Sequence, residues 1–230
     1  MCLVAFALDQ SSRFPFVLAS NRDEFYDRPA ARLAWWEADG GGPTILGGRD
    51  LSEGGTWLGL TASGRLGLVT NVRNPAKIDP QAPSRGHLVT QWLQGDTDMS
   101  HLWPRLAMSG HNGFNMIALD FAEGECFWLN NERLYPERLH KGVFGLSNAE
   151  LNTPWPKVVA LKAQLKAAMP AAVDADDLAN RLFAALSDPT LAPDEDLPHT
   201  GVPADWEKML SSAFIKAPEL RYGTRASTVI

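Results

Sequence analysis

The sequence predicts one α+β domain, built from two mainly antiparallel sheets with helices outside them. Three features carry that expectation. Strand-length apolar runs come in neighbouring pairs joined by turn residues, at 2–8 with 16–20 and at 54–60 with 65–71, and a meander of short runs follows at 114–146. Segments with helical spacing of apolar residues begin near 84, 100, 156 and 176. No internal repeat and no low-complexity linker divides the 230 residues.

The first run, from Cys2 to Leu8, is apolar at every position and so reads as a strand buried on both faces. Residues 9–13 supply a turn, and 16–20 return as the hairpin partner. Residues 21–26 then leave the sheet, with Asn21 to Asp23 near the level of Cys2. From 28 to 50 the chain is rich in glycine and polar residues and is expected to be loop. It lacks the spacing of a phosphate-binding loop. Trp35 and Trp36 in this stretch are core residues or the lining of an apolar pocket.

The second hairpin delivers Asn71, Arg73 and Asn74 at its end. A helix from 84 presents Leu88, Val89, Trp92 and Leu93 on one side, and a shorter one covers 100–108. Runs at 114–121, 125–130, 133–139 and 142–146 form the meander and are expected to make the second sheet. Pro154, Trp155 and Pro156 open a further helix, 176–186 is another, and 205–214 a short one. The chain ends within a β-branched run at 222–230, in mid-strand.

Composition narrows the function classes. Twenty-one basic against 27 acidic residues give a net charge of −6, which disfavours a nucleic-acid backbone as partner. No apolar run approaches the roughly 20 residues that span a bilayer, so no integral membrane segment is expected. With no export signal and only two cysteines, Cys2 and Cys126, a reducing cytoplasmic location is expected. The five histidines are scattered, and no His or Cys pair has metal-ligand spacing, so no metal is expected.

The chemistry concentrates at the N-terminus. Removal of Met1 would leave Cys2 carrying both a thiol and the chain's α-amine, a nucleophile with its own base; such an amine titrates near about 7.7 to 8.0. Asp23 is placed to orient that amine, and Arg22 to stabilise a thiolate or a substrate carboxylate, and the two together are expected to lower the thiol pKa of Cys2. An acyl-transfer site also needs donors aimed at an oxyanion, and Asn71 and Asn148, each following an apolar strand, are the candidates. Asn21, Arg73 and Trp57 are candidate substrate contacts, and Arg225 a late arginine for the same ion network.

Several pieces together resemble one family. They are Met1-Cys2, Ser20-Asn21-Arg22-Asp23-Glu24, Gly54-Gly55-Thr56-Trp57-Leu58-Gly59, Thr70-Asn71-Val72-Arg73, Ser84-Arg85-Gly86, Gly145-Leu146-Ser147-Asn148 and Tyr222-Gly223-Thr224-Arg225. These resemble the NRDE family, also called the transport and Golgi organisation protein 2 family. That family is similar to N-terminal nucleophile hydrolases of the cholylglycine hydrolase and penicillin V acylase kind, whose fold is an αββα sandwich. The resemblance implies that Cys2 is the nucleophile, that Arg22 and Asp23 flank it, that Asn71 and Asn148 serve the oxyanion, and that Arg225 is the late arginine. It implies hydrolysis of a non-peptide C–N amide of a small molecule through a thioester, with no cofactor. Family members are also implicated in haem trafficking. The alternative is therefore a carrier holding haem without covalent attachment, near Arg22, Arg73 or Arg225.

Overall fold

The computed structural model describes residues 2–39, 41–95 and 97–230. Met1, whose removal the chemistry invokes, and Gly40 of the glycine run lie outside them. By its internal contacts the chain gathers into two compact units. One comprises Met1–Asp27, Arg73–Ala76 and His140–Ile230, the other Arg28–Val72 and Lys77–Leu139. The architecture is α+β with two antiparallel sheets, one in each unit, and each sheet carries its own helices.

The first unit holds a five-stranded sheet in the order β10 (Gly142–Leu146), β1 (Cys2–Leu8), β2 (Phe16–Phe25), β12 (Tyr222–Val229), β11 (Lys216–Ala217). Alternation along β1 and β2 sends Leu3, Ala5, Ala7, Val17 and Ala19 to one face. There they form a core with α3 (Pro156–Ala171) and α4 (Ala175–Leu186), through Val158, Leu161, Leu165, Leu178 and Leu182. Asp174 caps α4 by accepting from the Asp177 amide, and Pro156 opens α3 where no N–H is needed. The opposite face carries Val4, Phe6 and Leu18, equally buried, with Phe6 stacked on Phe144 at 5.2 Å between ring centroids. A last short helix, α5 (Ala204–Met209), precedes β11.

The second unit is a seven-stranded meander, β3 (Ala30–Trp36), β4 (Ile45–Asp50), β5 (Leu58–Thr61), β6 (Arg65–Asn71), β7 (Phe114–Asp120), β8 (Glu125–Asn130) and β9 (Glu137–Arg138), each antiparallel to the next. Its core joins Val69, Phe114, Met116 and Leu129 to Leu88, Val89, Trp92 and Leu93 of α1 (Gly86–Gln94) and to Leu102, Trp103 and Leu106 of α2 (Met99–Ala107).

Three expectations change. Residues 21–25 do not leave the sheet; they complete β2, because β12 pairs with them on the side away from β1. The stretch 28–50 is not loop but holds β3 and β4. β3 is an exposed edge strand with a bulge between Ala31 and Ala34, so it shows no apolar alternation. In β4, Gly47 and Gly48 read as turn residues but are strand residues of another kind. A Cβ on Gly47 would lie 2.6 Å from the Leu58 carbonyl oxygen, and one on Gly48 2.3 Å from the Trp57 ring. Finally, β10 pairs with β1 in the first unit and does not extend the meander.

Candidate active site

Cys2 begins β1, and the antiparallel register sets it directly opposite Arg22 on β2. Residues paired in this way share a face, so the thiol and the guanidinium emerge together on the side of the sheet away from α3 and α4. Glu24, two residues further along β2, lies on the same face, and its Oε2 is 3.5 Å from Arg22 Nη2. Ser147, just past the end of β10, donates its hydroxyl to the Cys2 carbonyl oxygen at 2.9 Å and sits 3.2 Å from Asn148 Oδ1. Asn148 is buried, and its carbonyl accepts from the Arg73 amide at 2.7 Å. Cys2, Arg22, Asn148 and Arg73 are thus brought into one neighbourhood of the first unit.

Asp23 points to the other face, as alternation requires. Thr224, its registered partner on β12, donates to Asp23 Oδ1 at 2.7 Å. Burial pushes the Asp23 carboxyl up, while Lys157, Thr224 and Arg73 pull it down. Lys157 stands in the first turn of α3. It is buried, and its Nζ donates to the Leu210 carbonyl at 2.8 Å. Burial lowers it to about 8, against the favourable fields of Asp23, Cys2 and Glu207. Arg73 completes the cluster. Its Nη1 lies 2.6 Å from Glu207 Oε2, its guanidinium carbon stands 4.8 Å from the Trp155 ring centroid, and Glu207 Oε1 also accepts from the Thr200 amide and hydroxyl.

The thiol does not behave as the spacing suggests. Arg22 and Asp23 were expected to lower its pKa together, but burial pushes the Cys2 thiol up. Asp23 and Glu24 push it further the same way, and Arg22 pulls it down. A carboxylate near a thiol opposes its ionisation, so only half of the expected pair acts in the expected direction.

The other candidates are placed as follows. Asn21 is fully buried on the helix side of β2, where its Nδ2 donates to the Leu186 and Ala213 carbonyls, each at 2.8 Å, and its Oδ1 accepts from Ser227. It braces α4 and β12 against β2, and its amide is engaged by the scaffold. Arg225 falls in the bulge between Thr224 and Ala226 of β12. It is exposed and donates to the Phe25 and Tyr26 carbonyls at 2.9 and 3.0 Å, while the neighbouring Thr224 reaches Asp23. Asn71 ends β6 and Trp57 precedes β5, both in the second unit, where the Trp57 ring lies on Gly48. Cys126 is also there, free and buried, with its thiol pushed up to about 12. Among the described residues no group of three or more His, Cys, Asp or Glu is placed to hold a metal ion. Among them, too, no helix is long and apolar enough to cross a membrane.

Sequence reasoning missed Lys157, Glu207, Trp155 and Thr224. Lys157 had a signal, because a cation in the first turn of a helix opposes the helix dipole and needs a reason to be there. Thr224 lay within a noted motif but was passed over for the arginine beside it.

The fold is that of the N-terminal nucleophile hydrolases, an α+β arrangement of the αββα class with a cysteine opening its first strand. A solved structure of a Caenorhabditis elegans N-acylethanolamine-hydrolyzing acid amidase ortholog matches 79% of this chain and 85% of its own, with TM-score 0.54 and 10% identity. Penicillin V acylase from Agrobacterium tumefaciens matches 100% of this chain and 79% of its own, with TM-score 0.54 and 12% identity. Within that class the chain belongs to the Transport and Golgi organisation 2 family, whose pattern matches residues 1–230. The Transport and Golgi organization protein 2 homolog of Bos taurus is 35% identical over 250 residues, covering 100% of this chain and 88% of the relative.

Proposed function

We propose that this protein is an N-terminal cysteine amidohydrolase acting on a non-peptide C–N amide of a small molecule. The observation that carries the reading is the register of β1 and β2, which sets Cys2 opposite Arg22. The N-terminal nucleophile fold, found also in an amidase and an acylase, supports it. With Met1 removed, the nitrogen of Cys2 lies in the plane of the sheet, with the Arg22 and Glu24 side available to the thiol and the Asp23 side available to the amine.

The thiol gives its proton to the α-amine as sulfur attacks the amide carbonyl carbon, and the C=O electron pair moves to oxygen. Asn148 is the donor proposed for that oxyanion. Collapse breaks the C–N bond, and the leaving amine takes the proton from the ammonium. Water then attacks the thioester, passing a proton through the amine to the departing sulfur, and a carboxylic acid is released. The raised thiol pKa suits this order: the proton leaves during attack, and no stored thiolate is required. Two free, buried cysteines support a reducing, cytoplasmic setting.

The test is release of amine from a panel of acyl amides by protein whose intact mass shows loss of Met1. Cys2→Ala should abolish turnover by several powers of ten. Turnover that survives Cys2→Ala, or a chain that keeps Met1 yet remains fully active, refutes the mechanism. The carrier reading is separated by a haemin absorbance titration: saturable binding that persists in Cys2→Ala, with no amide cleaved by the wild type, would replace the enzyme by a carrier.

A further inference from the structure

We propose that the ligand of this site carries a carboxylate, held side-on by Nε and Nη2 of Arg73. The inference rests on the amidohydrolase reading for its place in catalysis, but its binding claim stands apart from turnover. Arg73 uses only one corner of its guanidinium within the protein. Nη1 pairs with Glu207, whereas Nε and Nη2 are enclosed and have no hydrogen-bond partner. A buried N–H that has given up water without a replacement is costly, and two on one edge of a cation are more so. That edge is the fork that matches the two oxygens of a carboxylate with parallel N–H···O bonds.

The surroundings fix the fork and favour one negative charge. Trp155 lies on the guanidinium face, and Glu207 is held in turn by Thr200, so the edge cannot rotate without breaking a buried ion pair. The charges of Arg73 and Lys157 are matched by those of Asp23 and Glu207, and the Cys2 thiol is neutral. A single carboxylate adds one charge to a balanced cluster, where a phosphate dianion would add two. Entry requires chain to move. The irregular segment 197–203, which touches the pair through Thr200, can do so without breaking a helix or strand.

The experiment uses full-length Cys2→Ala protein, so that no probe is consumed, and isothermal titration with N-butyrylglycine against its uncharged isostere N-butyrylglycinamide. The carboxylate should bind about tenfold to a hundredfold more tightly, and Arg73→Lys, which keeps the charge but not the fork, should erase most of that preference. Arg73→Met with Glu207→Gln removes both members of the ion pair together and keeps the test valid if Arg73→Lys fails to fold; it should abolish the preference. Equal affinity for the two probes, no saturable binding of the carboxylate, a preference that survives loss of Arg73, or inorganic phosphate displacing the carboxylate at like concentration overturns the proposal. If the carboxylate preference holds while wild-type protein cleaves no N-acyl amino acid, the hydrolase reading fails and the carboxylate site stands.

Discussion

Replacing Lys157 by methionine keeps the aliphatic stem of the residue and removes its buried amine from the charge cluster. In the folded chain Lys157 is lowered from 10.5 to about 8, chiefly by burial. Between those values the unfolded chain binds a proton that the folded chain does not, so the free energy of unfolding rises with pH there. Below about 8 both states are protonated, and the cost of burying the charge is constant. The interval corresponds to about 3 kcal/mol at 1.36 kcal/mol per pH unit. Lys157→Met also leaves the Leu210 carbonyl without its donor, but that loss does not change with pH. Urea unfolding of both proteins from pH 7 to about 10.5 separates the two effects. Wild type should gain about 3 kcal/mol relative to Lys157→Met across the range, with the gain confined to its upper part. Parallel curves would show that Lys157 titrates in the fold as it does in the unfolded chain, and the account of a buried, charge-coupled amine would fail.

Two further outcomes follow from the same cluster. Because Asp23 opposes ionisation of the Cys2 thiol and Arg22 favours it, Asp23→Asn should speed iodoacetamide alkylation of Cys2 and Arg22→Gln should slow it, each by up to about tenfold at fixed pH. Peptide mass spectrometry distinguishes Cys2 from Cys126, and the reverse order would refute the assignment. Asn21→Ala should cost about 2 to 4 kcal/mol in urea unfolding, since it strands the buried Leu186 and Ala213 carbonyls, while alkylation of Cys2 stays near the wild-type rate. A loss under about 1 kcal/mol, or a large change in Cys2 reactivity, would return Asn21 to the site.

What the sequence made legible was whatever local pattern determines. β1 is visible because seven residues in a row resist water, and α1 and α4 because their apolar positions repeat at helical spacing. Asn21 to Asp23 could be placed near the level of Cys2 because a hairpin fixes its own register, but the pairing of Cys2 with Arg22 needed β2 to run on past Ser20. β4 was hidden because its glycines answer to the Trp57 ring and the Leu58 carbonyl, neighbours that appear only in three dimensions. The same limit separated Arg225 from Thr224: a one-residue bulge decides which of the two meets Asp23, and no spacing in the chain announces it. Lys157 and Glu207 sit 50 residues apart in otherwise ordinary helical contexts, and only folding makes them neighbours of one charge cluster.

The strand that holds Arg22 and Asp23 has one partner beside it in sequence and the other far along the chain. β1 is made just before β2, but β12 comes some 200 residues later, at positions 222–229. During synthesis the hairpin emerges before β12 and must wait, one edge bare, until residues 222–229 have left the ribosome. Over that interval Asp23 has no Thr224 and Asn21 no Ser227, so these two buried polar side chains complete their hydrogen bonds late. Closing so long a loop is slow, and a bare strand edge invites the wrong neighbour meanwhile. The vulnerable interval therefore runs until β12 has emerged, and residues 16–25 are the stretch whose bare edge is exposed during it.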